Sequence, residues 1–114
     1  ALLNRGKESL VADLRDEADL ANVMELALRA DVLVEQFRPG VMERLGLGYE
    51  KLSPLNPRLV YCSISGYGQS GPRRHRAGHD INYIAEAGLL SLSFGSDEAP
   101  VMPPALVAEI GGGS

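Results

Sequence analysis

Two side chains suited to proton transfer stand out in this sequence. They are His79, within Gly78-His79-Asp80-Ile81-Asn82-Tyr83, and Glu109, just before Gly111-Gly112-Gly113. Asp80 reads as the N-cap of a helix through Ile81, Ile84, Ala85 and Leu89, an apolar set at roughly helical spacing. His79 then stands at a loop-to-helix junction, beside backbone N–H groups that lack intrahelical partners. A neutral imidazole in such a place can take up a proton. The plainer alternative is a histidine that only packs at a helix start. Glu109 follows an apolar run and precedes glycines whose backbone can approach a ligand closely. If a helix begins beyond Ser114, the Glu109 carboxylate lies near that helix's positive pole. A carboxylate facing an imidazole across a pocket is an acid/base pair, but spacing alone does not bring the two together.

Arg15, Arg38 and Arg44 form a second group. In open parallel sheets, ligands collect beyond the carboxyl ends of the strands, and Arg15 and Arg38 fall at two such ends. A guanidinium offers a planar fork to phosphate oxygens, so the pattern suits a polyphosphate; ordinary surface charge is the alternative. Other chemistries find no support. The chain has neither Gly-x-Gly-x-x-Gly nor a phosphate-binding loop ending in Gly-Lys-Ser/Thr, and no Gly-x-Ser-x-Gly elbow. His75 and His79 have zinc-like spacing, yet Gly78 interrupts any helix and no third ligand is evident. Arg73-Arg74-His75-Arg76 reads as a solvated loop rather than a nucleic-acid patch.

The elements that must position these groups follow from the apolar pattern. Ser9 to Leu14 reads as a short buried strand with Ala12-Asp13-Leu14-Arg15 at its end. Asp16 or Asp19 can cap a helix whose Leu20, Val23, Met24, Ala27 and Leu28 form an apolar stripe. Val32-Leu33-Val34 is a second strand, ending at Gln36-Phe37-Arg38-Pro39-Gly40, so a βαβ unit is expected. Val41 to Leu45 and Tyr49 to Leu55 read as short helices, the latter stopped at Asn56-Pro57. Leu59 to Ser65 is a third strand running into the loop Gly66 to Pro72. Pro100, Pro103 and Pro104 enforce an extended segment up to Glu109. The fold class is α/β, a Rossmann-like open parallel sheet with flanking helices.

The 114 residues suffice for one modest domain with a core. A net charge of −4 argues against non-specific binding to nucleic acid or anionic membrane. Cys62, the single cysteine, lies in an apolar run and reads as a buried strand residue in a reducing, cytoplasmic protein. No apolar run reaches transmembrane length, and the first residues carry no signal-peptide pattern. The chain begins at Ala1 without Met, and Gly111-Gly112-Gly113-Ser114 reads either as an appended linker or as a turn before a further helix. A partial domain of a larger protein is expected.

Six motifs then occur together and in order: Asn4-Arg5-Gly6-Lys7, Ala12 to Arg15, Gln36 to Gly40, Glu43 to Gly48, Ser65 to Pro72 and Gly78 to Tyr83. The set resembles the class III CoA-transferase superfamily, and within it the α-methylacyl-CoA racemase branch. The resemblance implies a CoA site using Ala12, Asp13, Leu14, Arg15, Gln36, Phe37 and Arg38, with Arg44 as a further contact. It implies that Gly78, His79, Asp80, Ile81, Asn82 and Tyr83 line the thioester. His79 matches the racemase base, and Glu109 falls where the family carries a catalytic aspartate. The transferase branch usually lacks the histidine and uses that aspartate as nucleophile. Also implied are an acyl-CoA substrate, no metal or redox cofactor, and an interlocked homodimer with a large second domain. A racemase, a CoA-transferase and a non-catalytic CoA-binding fragment are the three functions this leaves. Glu in place of Asp at 109 departs from the pattern by one methylene, which moves the carboxylate by about an ångström.

Overall fold

The computed structural model describes residues 4–92 and 95–113, and Ser114 of the glycine-rich end lies outside them. The chain divides into two compact units, residues 1–34 with 40–62, and residues 35–39 with 63–114.

In the first unit, helix α1 (Glu17–Arg29) starts at Asp16, whose Oδ1 accepts from the N–H groups of Ala18 and Asp19 at 3.0 Å each. Its far end is closed by Asn56, whose Nδ2 donates to the carbonyls of Ala27 (3.3 Å) and Ala30 (2.8 Å). These are among the carbonyls that a helix terminus leaves unpaired. Ala27, Leu52 and Leu59 form the core, with Met24, Ala30, Leu33 and Tyr61 packed on it. Leu28, expected in the apolar stripe, is exposed. Short helices α2 (Val41–Arg44) and α3 (Tyr49–Leu52) connect strands β1 (Val32–Glu35) and β2 (Val60–Ser63). The Val60 N–H donates to Asp31 O and the Ile64 N–H to Glu35 O, an equal advance on both strands, so the pair is parallel.

The result is α/β with a two-stranded parallel sheet and helices. Several local expectations need correction. Residues 9–14 form no strand; they lie open, with Leu10 56% and Val11 93% exposed, because among the described residues the only ladder is β1–β2. Without that strand the βαβ unit is built from β1, α2, α3 and β2 instead. Cys62 is exposed, as is Val60 on the same face, since nothing among the described residues covers that side of the sheet. Helix α3 and strand β2 are both shorter than their apolar runs, ending at Leu52 and Ser63.

In the second unit, helix α4 (Asp80–Glu86) packs on helix α5 (Val107–Gly113) and on a 3-10 turn, Leu89–Leu92. Its N-cap is His79, in extended backbone, and not Asp80, which is its first helical residue. Gly88, at φ +78°, closes it before Leu89 can join. Gly111 to Gly113 belong to α5 and make neither a linker nor a turn. Glycine is a poor helix former, so this helix owes its register to contacts from elsewhere in the unit. Among the described residues no helix is long and apolar enough to cross a membrane.

Candidate active site

A cleft of about 680 Å³ opens within the second unit. One side is the chain leaving β1, Gln36 to Pro39; another is the chain leaving β2, Ile64 to Gly66. Arg74 and Arg76 come from the basic turn, Ala77, Gly78 and His79 from the approach to α4, and Tyr83 from α4 itself. Ala108, Glu109 and Gly112 complete it from α5.

Each wall has an identifiable support. Where β1 ends, Glu35 is buried and its Oε2 accepts from the Phe37 N–H at 2.7 Å, turning the chain so that Gln36 to Arg38 follow the rim. Tyr83 donates from Oη to Gly78 O at 2.8 Å and meets the Tyr67 ring edge-on at 5.3 Å. A Cβ at Gly66 would overlap the Tyr83 hydroxyl, and one at Gly78 would come within 2.8 Å of its ring. Glycine at these two positions is therefore a packing requirement. His79 is exposed to the cleft, its N–H donating to Asn82 Oδ1 at 2.9 Å. Asp80 is buried, and its Oδ1 accepts from the N–H groups of Ala108 (2.7 Å) and Glu109 (3.0 Å). Glu109 thus stands in the first turn of α5, where a carboxylate is favoured by the helix dipole.

The basic turn is anchored rather than free. Glu86 pairs with Arg73 and with Arg76 (2.8 Å) and accepts from Tyr67 Oη at 3.1 Å. Arg76 also lies over the Tyr67 ring, 5.8 Å from its centre. Partial burial, and then the hydrogen bond to Glu86, hold the Tyr67 phenol above its ordinary range. With Arg76 paired to Glu86, Arg38 and Arg74 still outnumber the one carboxylate lining the cleft, Glu109, so the cleft favours an anionic ligand.

Of the residues singled out in the sequence, Gln36, Phe37, Arg38, Gly78, His79, Tyr83 and Glu109 are brought to one cleft. Ile81 and Asn82 are not among its lining residues, and Asp80 turns to α5 instead of the cleft. Ala12 to Arg15 and Arg44 belong to the first unit. There Arg15, through its backbone N–H and then its guanidinium, holds the Asp13 carboxyl below its ordinary range. Sequence reasoning missed Arg74 and Arg76 as cleft residues, having taken the basic run as a solvated loop. The signal was present: a cluster of arginines immediately before the histidine motif.

Comparison with known proteins decides the kinship. The family model described as CoA-transferase family III matches residues 1–114. The chain belongs to CoA-transferase family III. It is 51% identical over 111 residues to alpha-methylacyl-CoA racemase from Homo sapiens, covering 97% of this chain and 29% of that protein. It is 48% identical over 100 residues to acetyl-CoA:oxalate CoA-transferase from Acetobacter aceti, covering 88% and 26%. The crystal structure of a CAIB/BAIF family protein from Brucella suis superposes with a TM-score of 0.85 at 38% identity, covering 91% of this chain and 28% of that one. The chain thus spans under a third of the length of these family III relatives.

Proposed function

We propose that the protein carrying this cleft is an acyl-CoA racemase or epimerase, acting at the α-carbon of a 2-methyl-branched acyl-CoA thioester. One observation carries the reading: the His79 imidazole and the Glu109 carboxylate, from separate elements, line the same cleft among three arginines. A hydrogen α to a thioester is weakly acidic. Inverting that carbon requires an acid/base group on each face and stabilisation of the enolate between them. His79 removes the proton from one epimer, and Glu109, protonated, delivers one to the opposite face; in reverse the roles exchange. The arginines lining the cleft supply the positive charge that meets both the enolate and the anionic CoA moiety. On the same reading the protein works as a cytoplasmic homodimer, with CoA only as part of its substrate and no metal or redox cofactor.

The similarity to an acetyl-CoA:oxalate CoA-transferase favours a second reading. There Glu109 would attack the acyl-CoA to give a mixed anhydride with release of CoA thiolate. The thiolate would return to the glutamyl carbonyl, expelling the donor carboxylate and leaving a glutamyl-CoA thioester. An acceptor acid would displace CoA thiolate to form a second anhydride. The thiolate would then attack the acceptor's carbonyl, freeing Glu109 and releasing the new acyl-CoA. Incubating the full-length protein with one acyl-CoA epimer in D₂O, without acceptor acid, separates the two. The racemase reading expects α-deuterium uptake and loss of optical purity, slowed about a hundredfold or more in His79→Ala. Transfer of CoA to an added carboxylate without α-exchange would overturn it.

A further inference from the structure

We propose that Asp80 is the positioning residue that sets Glu109 for proton transfer. The inference rests on the reading of Glu109 as the second acid/base group and adds what holds that carboxylate in place. Asp80 is 4% exposed, and both of its described partners are backbone N–H groups of α5: Ala108 at 2.7 Å and Glu109 itself at 3.0 Å. A carboxylate is buried at high cost unless charged or N–H donors meet it, and the first N–H groups of a helix are donors left unpaired by the helix. The cap therefore arrives from 28 and 29 residues upstream, where an ordinary helix takes it from the residue just before its start.

The composition of α5 makes this external cap consequential. Three of its seven residues are glycine, so little intrinsic propensity holds its first turn in register. Asp80 also follows His79 directly, and the His79 N–H is tied to Asn82 Oδ1. One dipeptide thereby gauges both proton-transfer groups, carrying the imidazole on its first residue and grasping the backbone of the carboxylate with its second. Asp80 does not line the cleft.

The test uses the full-length protein. Asp80→Asn keeps an oxygen acceptor and is expected to hold kcat within about threefold. Asp80→Ala loses the acceptor and is expected to lower kcat about ten- to hundredfold, with KM shifted less than about threefold, as misplacement of a reacting group does. The loss should be uneven: initial α-hydrogen exchange slows more for the epimer that Glu109 deprotonates than for the one that His79 deprotonates. Unchanged kcat in Asp80→Ala, equal slowing of both epimers, or a rise in KM alone overturns the proposal. If Asp80→Ala does not fold, Asp80→Asn decides by itself, and a loss beyond about tenfold overturns it. Failure of the racemase reading shows separately, as no α-exchange in the unsubstituted protein. Amide hydrogen exchange at Ala108 and Glu109 then decides: faster exchange in Asp80→Ala than in Asp80→Asn supports the cap, and equal exchange overturns it.

Discussion

The two units are held together by different means. In the first, Leu52 and Leu47 are fully buried and the elements meet through aliphatic packing, with Asn56 closing α1. In the second, Ile84 is the sole buried aliphatic side chain among the described residues. There the cleft is shaped by polar groups instead: Glu35 on Phe37, Tyr83 on Gly78, Asp80 on α5, and Glu86 on the basic turn. Apolar burial is strong but non-directional, whereas a hydrogen bond fixes the distance and angle of the group it holds. The proposed proton transfer, which needs an imidazole and a carboxylate placed to within about half an ångström, gains more from the second kind of contact.

The contrast is sharpest if each unit is damaged in turn. Leu52→Ala should cost about 2–5 kcal/mol of stability by leaving a cavity, with kcat per folded molecule unchanged well below the unfolding temperature. Urea denaturation beside activity measures both, and a kcat loss at full folding would erase the distinction. Tyr83→Phe removes the donor to Gly78 O and should cost only about 0.5–1.5 kcal/mol, yet lower kcat more than Leu52→Ala does. Equal kcat in the two variants breaks the comparison from the other side.

The smallest expected effect is one of pH. The Tyr67 phenol is raised above its ordinary value of 10.0, so its contribution is fully present below that pH and fades as pH climbs through the raised value. Alkaline titration of phenolate absorbance should show a late-ionising component that is lost in Tyr67→Phe. Glu86→Gln should bring that ionisation earlier, and an unmoved titration would detach Tyr67 from the anchoring of the basic turn.

Local signals were legible wherever a residue acts on its near neighbours. Asp16 caps α1 as its type and place require, whereas the helix expected to run through Leu89 stops at Glu86 before Gly88, a break the apolar spacing did not show. The order of motifs was enough to indicate family III, and the sequence matches bear this out. Asp80 shows where such reading stops. Its type and its place before an apolar run suggest a cap, and it is one, but for α5 rather than for α4. The N–H groups at both helix starts need acceptors, and nothing in the local sequence states which set a buried carboxylate will serve.

Residues 9–14 and Cys62 make the same point for burial. Their apolar character was plain, but whether an apolar strand is covered depends on what packs against it. The sequence by itself thus determined residue types, local caps, breaks and kinship, because these depend on neighbours within a turn or two. Only the tertiary structure decided that His79, Glu109 and the arginines at 38, 74 and 76 border one cleft. Convergence of that kind depends on hydrogen bonds between residues nearly thirty positions apart, and spacing along a chain carries no record of them.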